Sequence, residues 1–507
     1  MNFLKLIKSE SYKRGTALSV LFNIISKGIL FLLTIIIAGY FGSNIKTDIY
    51  FFVFASMILL SGFINTIDTA VLIPESMRIR EEHGNDKAAA FLNFFLLVYL
   101  AIGIFFTVAM YFFGPAFFGL ISKFSKADII TYHNYFWAGS FFFIFHILTN
   151  YINTILTSLK FFSVPMMISS FKSCIAILCI FLLKAEYNVL SVFLGGLISY
   201  AVNLLILVVV MKKVAGWKFN IASPDIKKKV WGNIFYAELG QVATVVSNMF
   251  PLYLLSGFGS GIISVMNYGK NIADVPNTLV TTQFTNVSGI KLNEEVARND
   301  HEAMNETFMT VTKILVFILV PTGFFLFIFA RAFVELFYLH GDFDATSVQG
   351  SGVFLQLLGV SVFIIAINAM VTRVFIAMQA MKQAFIYQVI MNVLLVVAIW
   401  LFVSYTGAYG YGYAVVVMNV LNLAGMYITC RIIAPFINYT SIMGFTAMMV
   451  LLNGIIAAAV YYAASWLHTG VLLKMAVFFV LWFLILVIVK RIFNLHFNIK
   501  GWLFNKQ

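Results

Sequence analysis

The chain has 507 residues, of which 62% are hydrophobic and only 10% charged, with a formal net charge of +13. A soluble domain carries about 25% charged residues, and a mean hydropathy of +0.96 leaves more apolar surface than a water-soluble fold can hide. An aqueous globular protein is therefore excluded, and the bilayer is the solvent.

The N-terminal stretch MNFLKLIKSESYKRG is a short basic amphipathic lead-in rather than a cleavable signal peptide. A span needs roughly 20 apolar residues. Windows of that size occur at 16–41, 48–73, 88–113, 131–158, 162–183 and 189–211. They resume at 230–256, 260–285, 306–330, 347–375, 383–404, 410–433, 441–465 and 470–490. These fourteen spans are expected to be helices, because an open strand in lipid leaves backbone groups unpaired. They are apolar all round, without the alternation of a transmembrane barrel. The expected fold is an all-α polytopic membrane protein.

The loops repeat themselves. REEHGND (80–86) separates spans 2 and 3, and the similar NEEVARND (293–300) separates spans 8 and 9. YFGS (40–43) is echoed by GFGS (257–260), and PAF (115–117) by RAF (331–333). Leu159-Lys160 matches Met381-Lys382, and Asn203-Leu204 matches Asn422-Leu423. The common order and spacing, about 213 to 222 residues, indicate a six-span internal repeat. Six is even, so the halves enter the membrane in the same direction as a parallel pseudo-twofold repeat. In that plan substrate sites lie at the repeat interface near mid-bilayer.

The expected organisation is an N-terminal lobe over 1–215 (spans 1–6), a linker over 216–229, a C-terminal lobe over 230–435 (spans 7–12), and 436–507 with spans 13 and 14 and a tail. Within the linker, Ser223-Pro224-Asp225 reads as a helix start, a capping hydroxyl followed by proline at the first position. A plain basic tether fits the same residues. With the N-terminus inside, about 22 Lys and Arg fall on the cytoplasmic side against about 6 opposite, which places both termini in the cytoplasm. These cations then face anionic lipid headgroups and account for most of the net charge without nucleic acid as a partner.

Charges at membrane depth need a reason, because an ionised group at the hydrocarbon centre costs about 2.5–3.5 kcal/mol. Lys27 in span 1, Lys172 in span 5 and Lys270 in span 8 each lie about ten residues into their window, near mid-depth at about 1.5 Å per residue. The acids at similar depth are Glu238 in span 7 and Asp274 in span 8. Lys270 and Asp274 are spaced i,i+4, so a plain intrahelical ion pair fits them as well as a ligand site. Lys172 also fits a packing residue that snorkels. Lys27 has no acid at helical spacing in its own span. Three cations against two carboxylates favour an anionic headgroup, phosphate first. Gln388 and Asn392 share a face of span 11, and with Glu238 they offer a carboxylate and amide oxygens to a coupling Na+ or H+. Hydrogen bonds between helices are the other reading.

No phosphate loop of the form GxxxxGK[ST] occurs, and YGKN (268–271) lacks both spacing and hydroxyl. The seven His show no metal-ligand pattern. The three cysteines, Cys174, Cys179 and Cys430, lie inside apolar runs without disulfide or zinc spacing. The expectation is a transporter rather than an enzyme, with no catalytic residues, metal or cofactor.

Three stretches carry a family likeness: SK…AGYFGSNIKTDIYFFVF (26–54), NYGKNIADVP (267–276) and FYLHGDF (337–343). Together with the 6+6+2 plan they resemble the MurJ-type lipid II flippases of the MOP exporter superfamily. The resemblance implies an alternating-access flippase of the bacterial cytoplasmic (inner) membrane. Its substrate would be an undecaprenyl-diphosphate-linked cell-wall precursor, moved from the inner to the outer leaflet. It also implies that spans 13 and 14 help form a groove for the polyprenyl tail, and it places Lys27 where the family has its first span-1 arginine. Under this reading Lys27, Lys270 and Lys172 hold the diphosphate, and a cation at Glu238, Gln388 and Asn392 resets the cycle. The chain also departs from the family. Its second span-1 arginine position is apolar, SMILLSGFINT in span 2 lacks the usual arginine, and Lys270 stands one residue before the family's arginine position, Asn271. A capsule or O-antigen oligosaccharide-lipid flippase therefore stays open, as does a multidrug/cation antiporter of the same superfamily.

Overall fold

The computed structural model describes residues 12–220, 228–466 and 470–492. The lead-in, Ser223-Pro224-Asp225 and the final tail lie outside the described residues. Among those described, every regular element is helical. The first lobe comprises α1 (Tyr12–Phe41), α2 (Ile45–Ile67), α3 (Ile73–His83), α4 (Asn85–Ile121) and α5 (Lys126–Thr131). It continues with α6 (His133–Ser158), α7 (Ser163–Tyr187) and α8 (Leu190–Lys213). There follow α9 (Lys228–Leu255), α10 (Ile262–Pro276), α11 (Thr282–Ala297), α12 (His301–Ile328) and α13 (Ala330–Tyr338). The last six are α14 (Ala345–Gly359), α15 (Val362–Ala377), α16 (Met381–Thr406), α17 (Gly410–Ile433), α18 (Tyr439–Trp466) and α19 (Val471–Ile492).

Length and apolarity alone identify ten membrane-crossing stretches among the described residues, or eleven if the pair α14–α15, bent by 41°, is one span. One of the ten, Lys382–Ile433, contains both α16 and α17. The expected spans that fail this criterion are the seventh and eighth. Their helices α9, α10 and α11 carry Glu238, Gln241, Lys270, Asn271 and Asp274. The eighth stretch holds Lys270 and Asp274, whereas the described apolar part of the seventh, Gln241–Leu255, is shorter than a span and begins just after Glu238.

The backbone turns the same way at matching places. Positive φ occurs at Gly42 and Gly259, Gly84 and Asn299, Lys160 and Gln379, and Asn188 and Gly407. Within each pair the separation is 215–219 residues. Left-handed residues close helices by satisfying their last carbonyls, so each pair ends corresponding helices alike. The second span (α2, α3) and the eighth (α10, α11) share a further feature. Each is interrupted by a five-residue π-helical turn, Asp68–Leu72 in one and Asn277–Thr281 in the other.

Packing divides the chain into two compact units. The first holds residues up to Asn267 together with Tyr338–Ser347, and the second holds Tyr268–Phe337 and the chain from Val348 onward. By packing, therefore, α9 joins the first unit, where it lies against α2. The first unit has an aromatic core in which Tyr50 and Phe142 pack edge-on and stacked around Phe193, and Phe118 and Phe124 pack at an angle against Phe136. The start of the linker is held there too. The Trp217 indole N–H donates to Asn93 Oδ1 at 2.8 Å, and Asn93 Nδ2 donates to the Lys218 carbonyl at 2.7 Å. In the second unit α12 packs on α15 and α18 through buried Leu315, Leu319, Val371 and Met449. At the loop between spans 8 and 9, Thr307 donates to Glu295 Oε1 at 2.6 Å. Burial raises the Glu295 carboxyl above its ordinary range, against the pull of that hydrogen bond and of Lys291.

The segment Tyr338–Ser347 closes over the end of α1. Asp342 N donates to the Gly39 carbonyl at 2.9 Å, the hydroxyls of Ser43 and Ser347 are in contact, and Ser347 N donates to Asp344 Oδ1 at 2.8 Å. Gly341 sits at φ +61°, where a Cβ would run into the Gly39 carbonyl. Gly341→Ala is expected to lower the melting temperature of the detergent-purified protein. The left-handed backbone alone costs about 1–2 kcal/mol, and the collision adds to it; an unchanged melt would place this segment elsewhere.

Candidate functional site

In the first unit, Lys27 is exposed on α1 and Lys172 is half-buried on α7. The two helices pack together, and the Ser26 hydroxyl donates to Ser169 Oγ at 3.4 Å across their contact. Lys27 adjoins Ser26, and Lys172 stands one helical turn along from Ser169. The structure thus brings these two candidates to one helix pair. The Lys172 ammonium lies 3.9 Å from the ring centroid of Tyr200 on α8. Such a cation–π contact is worth about 0.5–2 kcal/mol and leaves the charge unneutralised. Tyr200 in turn neighbours the ring of His146 on α6, 6.1 Å between centroids. His146 Nδ1 lies 2.6 Å from the Ser61 hydroxyl and accepts from Asn150 Nδ2 at 3.0 Å. Among the described residues neither Lys27 nor Lys172 forms an ion pair.

Lys270, in the second unit, is different: its ammonium pairs with Asp274 one turn further along α10. Behind it, Gly269 lets α10 press on α14, where a Cβ would come within 2.9 Å of Leu355 N. The pair is locally neutral, so a partner left alone is worse than both removed. Lys270→Met should therefore destabilise the protein more than the Lys270→Met/Asp274→Leu double variant. The check is a double-mutant cycle on chemical or thermal unfolding. Equal losses would mean that Asp274 does not depend on Lys270.

Of the cation-coupling candidates, Glu238 belongs to the first unit and Gln388 and Asn392 to the second. Both carboxylate oxygens of Glu238 are buried and accept no hydrogen bond from the described residues. Gln388 is exposed and Asn392 half-buried on α16.

Two acids with structural prominence escaped the sequence reading. Asp48, 1% exposed, accepts from Gly261 N at 2.6 Å, Ser264 N at 2.7 Å and the Ser264 hydroxyl at 2.6 Å. It thereby caps the start of α10 from the start of α2. The signal was there in the paired GS turns, each followed by an apolar helix, and in an acid just inside one of them. Asp68, also 1% exposed, opens the π-helical turn of the second span and accepts from the Tyr99 hydroxyl at 2.6 Å. Its signal was an acid inside the apolar run NTIDTAVLIP, near enough to a span end to pass for an interfacial residue.

Comparisons with known proteins agree with one another. A family profile described as the lipid II flippase MurJ matches residues 37–483. A probable lipid II flippase MurJ of Borreliella burgdorferi is 21% identical over 395 residues, covering 76% of each chain. One of Bdellovibrio bacteriovorus is 22% identical over 253 residues, 49% of this chain and 45% of that one. Among solved structures, a lipid II flippase MurJ in an inward closed conformation superposes with a TM-score of 0.79 at 18% identity, covering 94% of this chain and 99% of the other. An inward-facing multidrug resistance MATE transporter of the MOP superfamily gives 0.66 at 16% identity, covering 82% and 95%.

Proposed function

Because the chain belongs to the lipid II flippase MurJ family, a family of multi-pass membrane transporters, we propose that it moves a polyprenyl-diphosphate-linked glycan from the inner to the outer leaflet by alternating access. The observation that carries the substrate class is the pair Lys27 and Lys172, two mid-span cations on packed helices with no ion-pair partner among the described residues. An uncompensated positive charge in a span is costly, and a diphosphate is the kind of ligand that repays it. Lys270 contributes as half of an ion pair that an anionic headgroup could draw apart. Outward movement of a negative headgroup runs downhill in an inside-negative cell, by about 2.3 kcal/mol per charge per 100 mV.

A thermal-shift titration of the purified protein tests this reading. Polyprenyl diphosphate should stabilise it, by about 2.7 kcal/mol at a hundredfold excess over Kd, and the uncharged polyprenol should not. Stabilisation by organic cations but not by the diphosphate would favour a drug transporter instead. Parallel titrations with lipid II, a capsule precursor and an O-antigen precursor identify the sugar.

A further inference from the structure

Asp68 stands where the second span changes from α-helix to π-helical turn. Its Oδ1 is taken by Tyr99, and its buried Oδ2 accepts no hydrogen bond from the described residues. The helix α9 packs on this turn, and its Glu238 lies within electrostatic reach of Asp68. Three carboxylate oxygens, one from Asp68 and two from Glu238, are thus buried without a donor among the described residues.

The remaining groups around the turn do not supply a counter-charge. Tyr99 comes from α4, and Tyr151 of α6 lies 4.9 Å from it between ring centroids. The Tyr151 hydroxyl is committed to the Leu92 carbonyl at 2.8 Å. Glu75 of α3 pairs with Arg78. Asn65, one turn before Asp68 on α2, presents a buried Oδ1 that also lacks a donor among the described residues. Among the described residues no Lys, Arg or His forms an ion pair with Asp68 or Glu238.

Two neighbouring carboxylates in a poorly solvated place cannot both stay ionised. One positive charge must be shared between them. A hard metal ion asks for six or more oxygens, and among the described residues no cluster of three acidic, His or Cys side chains is assembled to hold a metal. A proton needs a single carboxylate oxygen. π-Helical turns concentrate at functional sites, and this one places an ionisable group in the turn itself.

We propose that Asp68 and Glu238 form the coupling site of the transporter, and that the coupling ion is a proton carried by one of the two carboxylates. Glu238 then works with Asp68 rather than with Gln388 and Asn392. Loading forms one carboxyl O–H bond with a proton from water on one side of the membrane. Release breaks that bond and returns the proton to water on the other side, with no electron transferred. The coupling role rests on the transport reading above; the proton-binding pair does not.

Infrared difference spectroscopy tests the pair directly on the purified protein in sodium-free buffer. Titration from acid to alkaline should abolish a protonated-carboxyl C=O band. That band should be lost in Asp68→Asn and in Glu238→Gln, and sodium added at fixed pH should leave it in place. A band that survives both substitutions, or one that sodium removes, overturns the proposal. Should Glu238→Gln not fold, Asp68→Asn and the sodium arm decide alone. In proteoliposomes, an imposed pH gradient in sodium-free medium should drive polyprenyl diphosphate across wild-type membranes, and this drive should be lost in Asp68→Asn. Lipid movement in the wild type that ignores the gradient sinks the coupling and spares the flippase. A titrating band without any lipid movement sinks the flippase reading and spares the proton site.

Discussion

Lys27→Ala is expected to slow movement of a polyprenyl-diphosphate lipid by about 10- to 100-fold, the worth of one hydrogen bond to a charged group at about 1.5–3 kcal/mol. The melting temperature should not fall, because Lys27 is exposed on α1 and anchors no ion pair among the described residues. Lys27→Arg keeps the charge and should retain most of the rate. Lys172→Met should be milder in transport and costlier in stability, since it also removes the contact with Tyr200. The measurement is initial flipping rate in proteoliposomes alongside the melt of the same preparations. A Lys27→Ala rate equal to wild type would remove Lys27 from the substrate path.

Asp48→Ala should cost more stability than Gly341→Ala or any substitution at Lys27, Lys172 or Lys270. It strands the Gly261 and Ser264 amides, two buried donors that now end on one carboxylate, and leaves the Ser264 hydroxyl only its contact with Thr47. Each such orphan costs about 1–3 kcal/mol, and the loss of the helix cap on α10 is part of the same sum. A drop of several kcal/mol is expected, enough to reduce the yield of folded protein. Asp48→Asn keeps one acceptor oxygen and the side-chain volume, so it should recover part of the loss. Ser264→Ala removes only the hydroxyl and should be the mildest of the three. Equal stability for wild type and Asp48→Ala would mean that the start of α10 is satisfied by water instead.

The helical, polytopic character was legible because lipid permits so few backbone solutions. Apolar windows of span length translate directly into helices such as α4, α7 and α8. Legibility failed where a span departs from uniform apolarity. The seventh and eighth read as full windows in the sequence, yet among the described residues only Gln241–Leu255 of the seventh stands as an apolar helix, and Lys270 and Asp274 interrupt the eighth. The i,i+4 spacing of Lys270 and Asp274 announced an ion pair, and the structure has one. What spacing along one helix cannot reveal is a partner on another. Lys172 over Tyr200, His146 on Ser61 and Asp68 with Tyr99 each join residues 28 to 85 positions apart. The π-helical turn at Asp68 was equally hidden, since nothing in NTIDTAVLIP distinguishes it from ordinary helix.

The decisive measurement is leaflet accessibility of a polyprenyl lipid in proteoliposomes, comparing a diphosphate headgroup with a neutral one on the same tail. The diphosphate lipid should reach the far leaflet with wild-type protein and fail to do so when Lys27 and Lys172 are both neutralised. The neutral lipid should stay behind in every case. Equal movement of both lipids, or diphosphate transport that survives loss of both cations, would contradict a site built on positive charge.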